Sequence, residues 1–177
     1  MTTTRGFLFF LFVLISSTVK AYDFGDGSIN IPDGFEGPIT QSVGQGASLI
    51  GFTFPHGSAG GALLQITIWN PGQKFPEMSI NELKAGSEKY LLQFLGGIEK
   101  KRNNFKQSQV EFVQISGNPA AKVTWTGLVQ GEEAHGVMYC LVFNSTIYSF
   151  HTQDLSSYGG RYTKLAVNAF ESIELKK

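Results

Sequence analysis

Cys140 and His151 are the two side chains of this sequence whose types and spacing best suit covalent chemistry. They lie in two stretches rich in β-branched and aromatic residues, Val137–Phe143 and Thr146–Thr152. Asn144-Ser145 between these stretches suits a two-residue hairpin turn, because Asn tolerates the positive φ that such a turn requires. In the predicted hairpin the two side chains share a face, diagonally opposed at roughly 7–8 Å between backbone positions.

A thiolate beside an imidazole is a nucleophile, so a small thiol-dependent or hydrolytic enzyme using Cys140 and His151 is one hypothesis. Both faces of the predicted hairpin are largely apolar, however. A strand pair with one face in water should show one polar face, so we expect this hairpin to be covered on both sides. A buried free Cys is usually an inert small hydrophobe, and the sequence therefore favours a structural role for Cys140.

His135 and Asp154 form a second candidate site, at the open end of the same hairpin. The predicted register pairs them across the two strands, as a hydrogen-bonded or ionic contact or as an acid–base or metal site. His56 and His151 are further candidate metal ligands, but no H-E-x-x-H pattern and no Cys/His zinc spacing accompanies them. We therefore expect an ordinary polar contact, with no catalytic residue, metal or cofactor.

Trp69 and Trp125 are candidates for a ligand cleft, since ligand clefts are lined mainly by apolar and aromatic side chains. Packing in the core or at its edge explains the same two residues without a ligand. A small apolar ligand and an unidentified partner protein are thus both open as binding partners.

The periodicity of the remaining chain predicts the order β-β-β-α-β-β-β-β-α. Glu36–Gly46 has the character of a loop, and Ser79 with Glu82 forms a capping box at the start of the first helix. Short turns between consecutive strands favour antiparallel pairing, and two amphipathic helices suffice to cover a two-sided sheet. The expected fold class is α+β, a three-layer α/β/α sandwich on a mainly antiparallel sheet. Outside the hairpin, the predicted strands are Ile29–Pro32, Ala47–Pro55, Ala62–Trp69, Gln109–Ile115 and Ala120–Val129, and the predicted helices are Ile80–Leu95, with possible continuation to Arg102, and Tyr162–Ile173.

The first 21 residues have the pattern of a secretory signal peptide. Arg5 precedes an apolar run from Gly6 to Ile15, and Val19-Lys20-Ala21 is a small-residue cleavage site. The run is about half of the ~20 residues that span a bilayer, which favours a cleaved signal over an anchor. We predict cleavage after Ala21, a single mature domain of residues 22–177 without a stable membrane anchor, and a periplasmic or secreted location.

Charge and cysteine content limit the possible partners and cross-links of the mature chain. The whole chain has 14 basic and 14 acidic residues, and removal of Arg5 and Lys20 leaves 12 basic against 14 acidic. No basic stripe is evident, which argues against nucleic acid as a partner. With one Cys no intramolecular disulfide forms. Asn144-Ser145-Thr146 matches a glycosylation sequon, which matters only in a eukaryotic secretory pathway.

Several features of the chain resemble the PsbP-like fold family, which includes exported bacterial proteins of the DcrB type. These are the segment Ile29–Phe35 near the mature start, the long helix after the second or third strand, the aromatic hairpin and the closing helix that ends in Ala169–Ile173. The resemblance implies an α/β/α sandwich with a binding or assembly role, and it transfers no catalytic residue.

The sequence thus predicts an exported, non-enzymatic binding or assembly protein. The alternatives are the thiol-dependent or hydrolytic enzyme that uses Cys140 and His151 and an accessory subunit of an envelope complex.

Overall fold

The computed structural model describes residues 20–44, 46–56 and 61–176, and most of the predicted signal peptide lies outside them. Two helices and eleven strands occupy this part of the chain. In chain order they are β1 Lys20–Asp23, β2 Gly27–Ile31, β3 Glu36–Gly44, β4 Ala47–Pro55, β5 Gly61–Trp69, α1 Ile80–Glu99, β6 Asn103–Gln107, β7 Glu111–Ile115, β8 Asn118–Val129, β9 Glu132–Phe143, β10 Thr146–Leu155, α2 Arg161–Glu171 and β11 Glu174–Leu175.

The predicted hairpin, β9 and β10, lies in the interior of the main sheet. The strand order is β3-β4-β5-β10-β9-β8-β6, with β7 also paired to β8, and every pairing is antiparallel. The predicted register is confirmed, since Phe143 pairs with Thr146 and Tyr139 with Phe150. Asn144 and Ser145 have φ values of 48° and 61°, the positive values that a two-residue turn of this type requires. The fold is therefore α+β on an antiparallel sheet.

The side chains of the two hairpin faces belong to two different core clusters. Tyr139 and Phe150 are buried in a cluster that includes Phe170 of α2 and residues of β2 and β4. Met138 and Cys140 are buried in a cluster that includes residues of α1 and β8. Most side chains on both faces of the hairpin are buried, which agrees with the expectation drawn from their apolar character.

Helix α1 begins where the capping box predicts. The Ser79 hydroxyl accepts a hydrogen bond from the backbone N–H of Glu82, and the Glu82 carboxylate accepts one from the backbone N–H of Ser79. The helix continues through Gly96-Gly97 to Glu99 because its buried residues Leu91 and Leu95 anchor it on the sheet. Neither α1 nor α2, the helices of the described segments, has the length and apolar character needed to cross a bilayer.

Three strand predictions were wrong or incomplete. Glu36–Gly44, predicted as part of a loop, is strand β3, exposed along its whole length at the edge of the main sheet. β6 was not predicted, and most of its residues are exposed. β3 is exposed on both faces, and β6 has a single apolar residue, Phe105, so neither strand carries a period-two hydrophobic signal. The predicted strand Ile29–Pro32 corresponds to β2, which begins at Gly27 and is the middle strand of a small sheet, β1-β2-β11.

Gly136 is required by a close approach between β9 and β8. A Cβ atom at this position would lie 2.4–2.5 Å from the indole ring of Trp125, its cross-strand partner. Trp125 is 2% exposed, and its indole ring stacks on Phe105 and on His151, so a shift of the ring disturbs both contacts. We therefore expect Gly136→Ala to lower the free energy of unfolding by about 1–3 kcal/mol, measured by urea denaturation. Gly51→Ala in β4 is the control, because its Cβ would meet no atom closer than 3.8 Å. An equal loss in both variants contradicts the proposed clash.

Candidate functional site

A cleft opens between the carboxyl-terminal half of α1 and strands β4, β5 and β10. Its volume is about 330 Å³. Helix α1 packs mainly on β8 and β9, which leaves this part of the same sheet face without a cover. Five apolar and eight other residues line the cleft: Leu49, Leu63, Phe94, Ile98 and Met138, with Gln65, Thr67, Gly97, Lys101, Arg102, Ser149, His151 and Gln153.

The sheet side of the cleft is a polar floor built by strand register. Gln65 of β5 lies opposite His151 of β10, and Thr67 lies opposite Ser149, so all four side chains share one face. Within the floor, the Gln65 side-chain amide donates to the Thr67 hydroxyl oxygen at 3.2 Å. These polar residues interrupt a face that is apolar under α1, and they mark the area that the helix does not reach.

His151 is the most deeply buried titratable group of the floor. It is 4% exposed, and its Nε2 has no hydrogen-bond partner among the described residues. Burial, reinforced by the positive charge of Arg102, lowers the pKa of His151 from 6.5 to about 3. The ring is therefore neutral at pH 7, with one nitrogen as donor and the other as acceptor. The His151 ring stacks on the Trp125 ring, with centroids 5.8 Å apart.

Arg102 brings a fixed positive charge to the cleft. One guanidinium nitrogen, Nη2, donates to the side-chain oxygen of Gln153 at 3.0 Å, and Nη1 donates to the Lys101 carbonyl at 3.1 Å. The guanidinium carbon lies 5.8 Å from the centre of the Trp125 ring. Arg102 Nε is buried and has no partner in the described part of the chain. From the sequence, Arg102 is only the residue to which the first helix could continue, because nothing local distinguishes it from the neighbouring cations Lys100 and Lys101.

The predicted contact between His135 and Asp154 is not formed by their side chains. The two residues are cross-strand partners, as predicted. However, Asp154 Oδ1 is hydrogen-bonded to His56 Nε2 at 2.9 Å, and His135 Nε2 to the Thr163 hydroxyl at 3.0 Å. The His135 and Asp154 side chains thus contact different elements, since α2 supplies Thr163 and His56 follows the end of β4. Sequence spacing gave no signal for the His56–Asp154 pair, because 98 residues separate its members.

The His56–Asp154 pair is enclosed by aromatic rings. The His56 side chain is 3% exposed and stacks on Tyr158 with ring centroids 3.7 Å apart. The Asp154 side chain is 0% exposed, and its Oδ1 also accepts from the Leu155 backbone N–H at 2.9 Å. Tyr162 of α2 also lies near the His56 ring. The pair thereby connects the end of β4 to the end of β10 and to the start of α2. This arrangement indicates a structural role for His56 and Asp154.

Cys140 and His151 lie on one hairpin face, as predicted, but Cys140 is not accessible. Its exposed fraction is 0%, and burial raises the pKa of the thiol far above its ordinary value. The thiol is therefore protonated at neutral pH, and it packs in the cluster that contains Leu91 and Leu95. A nucleophilic role requires a thiolate with access to substrate, and this environment provides neither.

Trp69 and Trp125 do not meet in one cleft. Neither lines the cleft beside α1. Trp125 lies beneath it, stacked on His151 in the core, and also borders a separate hollow of about 240 Å³ near His135. Trp69 makes an edge-to-face contact with Tyr90 of α1, with ring centroids 5.5 Å apart. The candidate ligand site is therefore lined by other residues than these two tryptophans.

The antiparallel sheet with its two helices and aromatic central hairpin is the PsbP-like fold. Cyanobacterial PsbP from Synechocystis sp. PCC 6803 is similar to this chain with a TM-score of 0.62 at 12% identity, over 89% of this chain and 92% of that one. LpqN of Mycobacterium tuberculosis, a protein involved in cell envelope biogenesis, has a TM-score of 0.55 at 16% identity, over 89% and 90%. PA94 of Pseudomonas aeruginosa, of unknown function, has a TM-score of 0.51 at 13% identity, over 87% and 94%.

No protein-family model matches the chain, and neither does any curated protein sequence. At 12–16% identity, the likeness to the three solved structures shows the fold alone.

The neutral state of His151 predicts a specific pH dependence of stability. The folded protein keeps the ring unprotonated down to about pH 3, whereas the unfolded chain binds a proton near pH 6.5. The stabilisation is thus complete above about pH 6.5 and decreases as the pH falls toward 3. We expect the unfolding free energy of the wild type to fall more steeply than that of His151→Gln, by about 1.4 kcal/mol per pH unit below pH 6. Urea titrations at several pH values measure both slopes, and equal slopes contradict the buried neutral ring.

Proposed function

We propose that this chain is an exported, non-enzymatic binding protein with an α/β/α three-layer architecture. Its ligand site is the cleft between α1 and strands β4, β5 and β10. The observation that carries the proposal is the buried, unpartnered Nε2 of His151 at the floor of this cleft. Leaving such a nitrogen unpaired costs about 1–3 kcal/mol, and a bound ligand that pairs with it recovers that cost.

The composition of the cleft supports a small-molecule ligand with an apolar body. Ligand sites have volumes of about 300–1,000 Å³ and combine apolar walls with a few placed polar groups. The volume of 330 Å³ fits the lower end of that range. Phe94 and Ile98 of α1 form one apolar wall, and Leu49, Leu63 and Met138 of the sheet contribute the remainder.

The polar groups outside the cleft support binding rather than catalysis. The Cys140 thiol is buried and protonated, so it offers no nucleophile. The Nε2 atom of His56 is engaged by Asp154, and the imidazole ring is enclosed by Tyr158 and its neighbours. These two arrangements stabilise the fold, whereas the polar residues of the cleft face an open volume.

Export is supported by the amino-terminal pattern, in which Arg5, the apolar run and Val19-Lys20-Ala21 follow in order. The structural likeness to LpqN, a protein involved in cell envelope biogenesis, is compatible with this location. The predicted cut after Ala21 falls within β1, so the mature chain retains Tyr22 and Asp23 of that strand.

Amino-terminal sequencing of the protein recovered from the envelope or the medium of its secreting host tests the export proposal. We expect Tyr22 as the first residue, because the small residues Val19 and Ala21 define the cleavage site. A chain that retains residues 1–21 in either fraction contradicts cleavage of a signal at this position.

Two adjacent glycines of α1 allow a matched test of the cleft. Gly97 lines the cleft, whereas Gly96 does not, and a Cβ atom at either position meets no atom within 4 Å. The neutral probe N-phenyl-1-naphthylamine, which fluoresces in apolar surroundings, is titrated into the purified protein. We expect binding by the wild type and by Gly96→Phe, and at least tenfold weaker binding by Gly97→Phe, because its aromatic ring fills the cleft.

Two results would refute this assignment. Absence of probe binding by the folded wild type argues against a small-molecule site, and equal binding by Gly96→Phe and Gly97→Phe places the probe elsewhere. Circular dichroism of both variants verifies that each remains folded. Because Gly96 and Gly97 are adjacent in α1, replacing either glycine changes the helix propensity by a similar amount.

A further inference from the structure

We infer that the ligand of the cleft is an amphiphile with an anionic head, a carboxylate or a phosphate, received by Arg102 and Lys101 at the end of α1. This inference rests on the proposed function, since it identifies the chemical class that the same cleft would bind. It is carried by the position and the incomplete partnering of Arg102, and by the distribution of charge along the cleft.

The guanidinium of Arg102 is held in place before any ligand arrives. Hydrogen bonds to Gln153 and to the Lys101 carbonyl, together with the face of Trp125, fix its plane. These contacts leave Nε buried and unpaired. Within residues 61–176 and the other described segments, no carboxylate lies within 4 Å of Arg102 or Lys101. A half-buried cation without a counter-ion is costly, and an anionic ligand supplies the missing charge.

The charged residues that line the cleft are all positive. Of its thirteen residues, Lys101 and Arg102 carry full charges and none is a carboxylate. The carboxyl end of α1 opposes an anion, because the helix dipole is negative there. Part of that effect is removed by capping, since the N–H groups of Lys101 and Arg102 bond to the carbonyls of Ile98 and Glu99. Two full positive charges exceed the remaining partial charge, so the mouth of the cleft favours an anion.

The remaining lining assigns the two ends of the ligand. Arg102 and the neutral His151 ring both lie against Trp125, and the His151 ring is able to donate to an oxyanion. Farther from Arg102, Leu49 lies level with Ser149, four residues along β10 from Gln153. With Phe94 of α1, it offers an apolar surface that suits a short hydrocarbon chain. A ligand with a charged head and an apolar tail satisfies both ends, whereas a purely apolar ligand leaves Arg102 and His151 unpaired.

Displacement of N-phenyl-1-naphthylamine by four compounds of equal chain length tests the inference. The compounds are octanoate, octyl phosphate, 1-octanol and octylammonium, each kept below its micelle concentration. We expect at least one of the two anions to displace the probe at about tenfold lower concentration than 1-octanol, because a charge-assisted hydrogen bond adds about 1.4 kcal/mol or more. Octylammonium should be weaker than 1-octanol. The stronger of the two anions identifies a carboxylate or a phosphate as the natural head.

Three variants connect the preference to its residues. Arg102→Gln should abolish the advantage of the anions over 1-octanol while the probe still binds. Lys101→Gln, at an exposed position that tolerates substitution, should reduce the advantage by about threefold. Lys164→Gln, an exposed cation on α2, is the matched control and should leave it unchanged.

The outcomes separate the two proposals. Equal displacement by octanoate, octyl phosphate and 1-octanol overturns the anionic head and leaves the proposed apolar site intact. A preference for anions that survives both Arg102→Gln and Lys101→Gln overturns the assignment to these residues. Failure of the folded wild-type protein to bind the neutral probe overturns the proposed function and the inference that rests on it.

Discussion

The burial of hairpin β9–β10 on both faces is the constraint on which the rest of the structure depends. Tyr139 and Phe150 on one face and Cys140 and Met138 on the other must all be removed from water. One core cluster contains residues of α2 and of the small β1-β2-β11 sheet, and the other contains residues of α1. The hairpin thereby determines where both helices pack.

The candidate site follows from incomplete cover on one of these faces. Helix α1 packs along β8 and β9 and leaves the β5 side of β10 open, and there the face becomes polar, with Thr67, Ser149 and His151. Sheet faces under a helix are normally apolar, so polar residues at this position indicate a role other than packing against α1. The same area holds a neutral imidazole and a fixed guanidinium without full hydrogen bonding, a cost that binding of a ligand would offset.

The His56–Asp154 pair and the cleft both contain a buried histidine, but in different surroundings. His56, like His151, is a buried imidazole, but it is paired with the Asp154 carboxylate and stacked on Tyr158, and the pair connects three elements. Burial alone therefore does not distinguish a structural polar group from a functional one. The distinction lies in the surroundings of the group, since His151 lines an open cleft and the His56 ring is stacked on Tyr158.

The sequence by itself determined the features that depend on local interactions. The hairpin register, the capping box at Ser79 and strand β4 follow from alternation, turn chemistry and capping within a few residues, and they are confirmed. Strands β3 and β6 were not predicted, because these edge strands are held by backbone pairing, which leaves no hydrophobic period in the sequence. His151 was found as a residue of interest, but its partners Trp125 and Arg102 and the cleft above it depend on how α1 packs across distant strands. The His56–Asp154 pair joins residues 98 positions apart. Only the tertiary structure decides such contacts, because they arise when separate elements close on a common core.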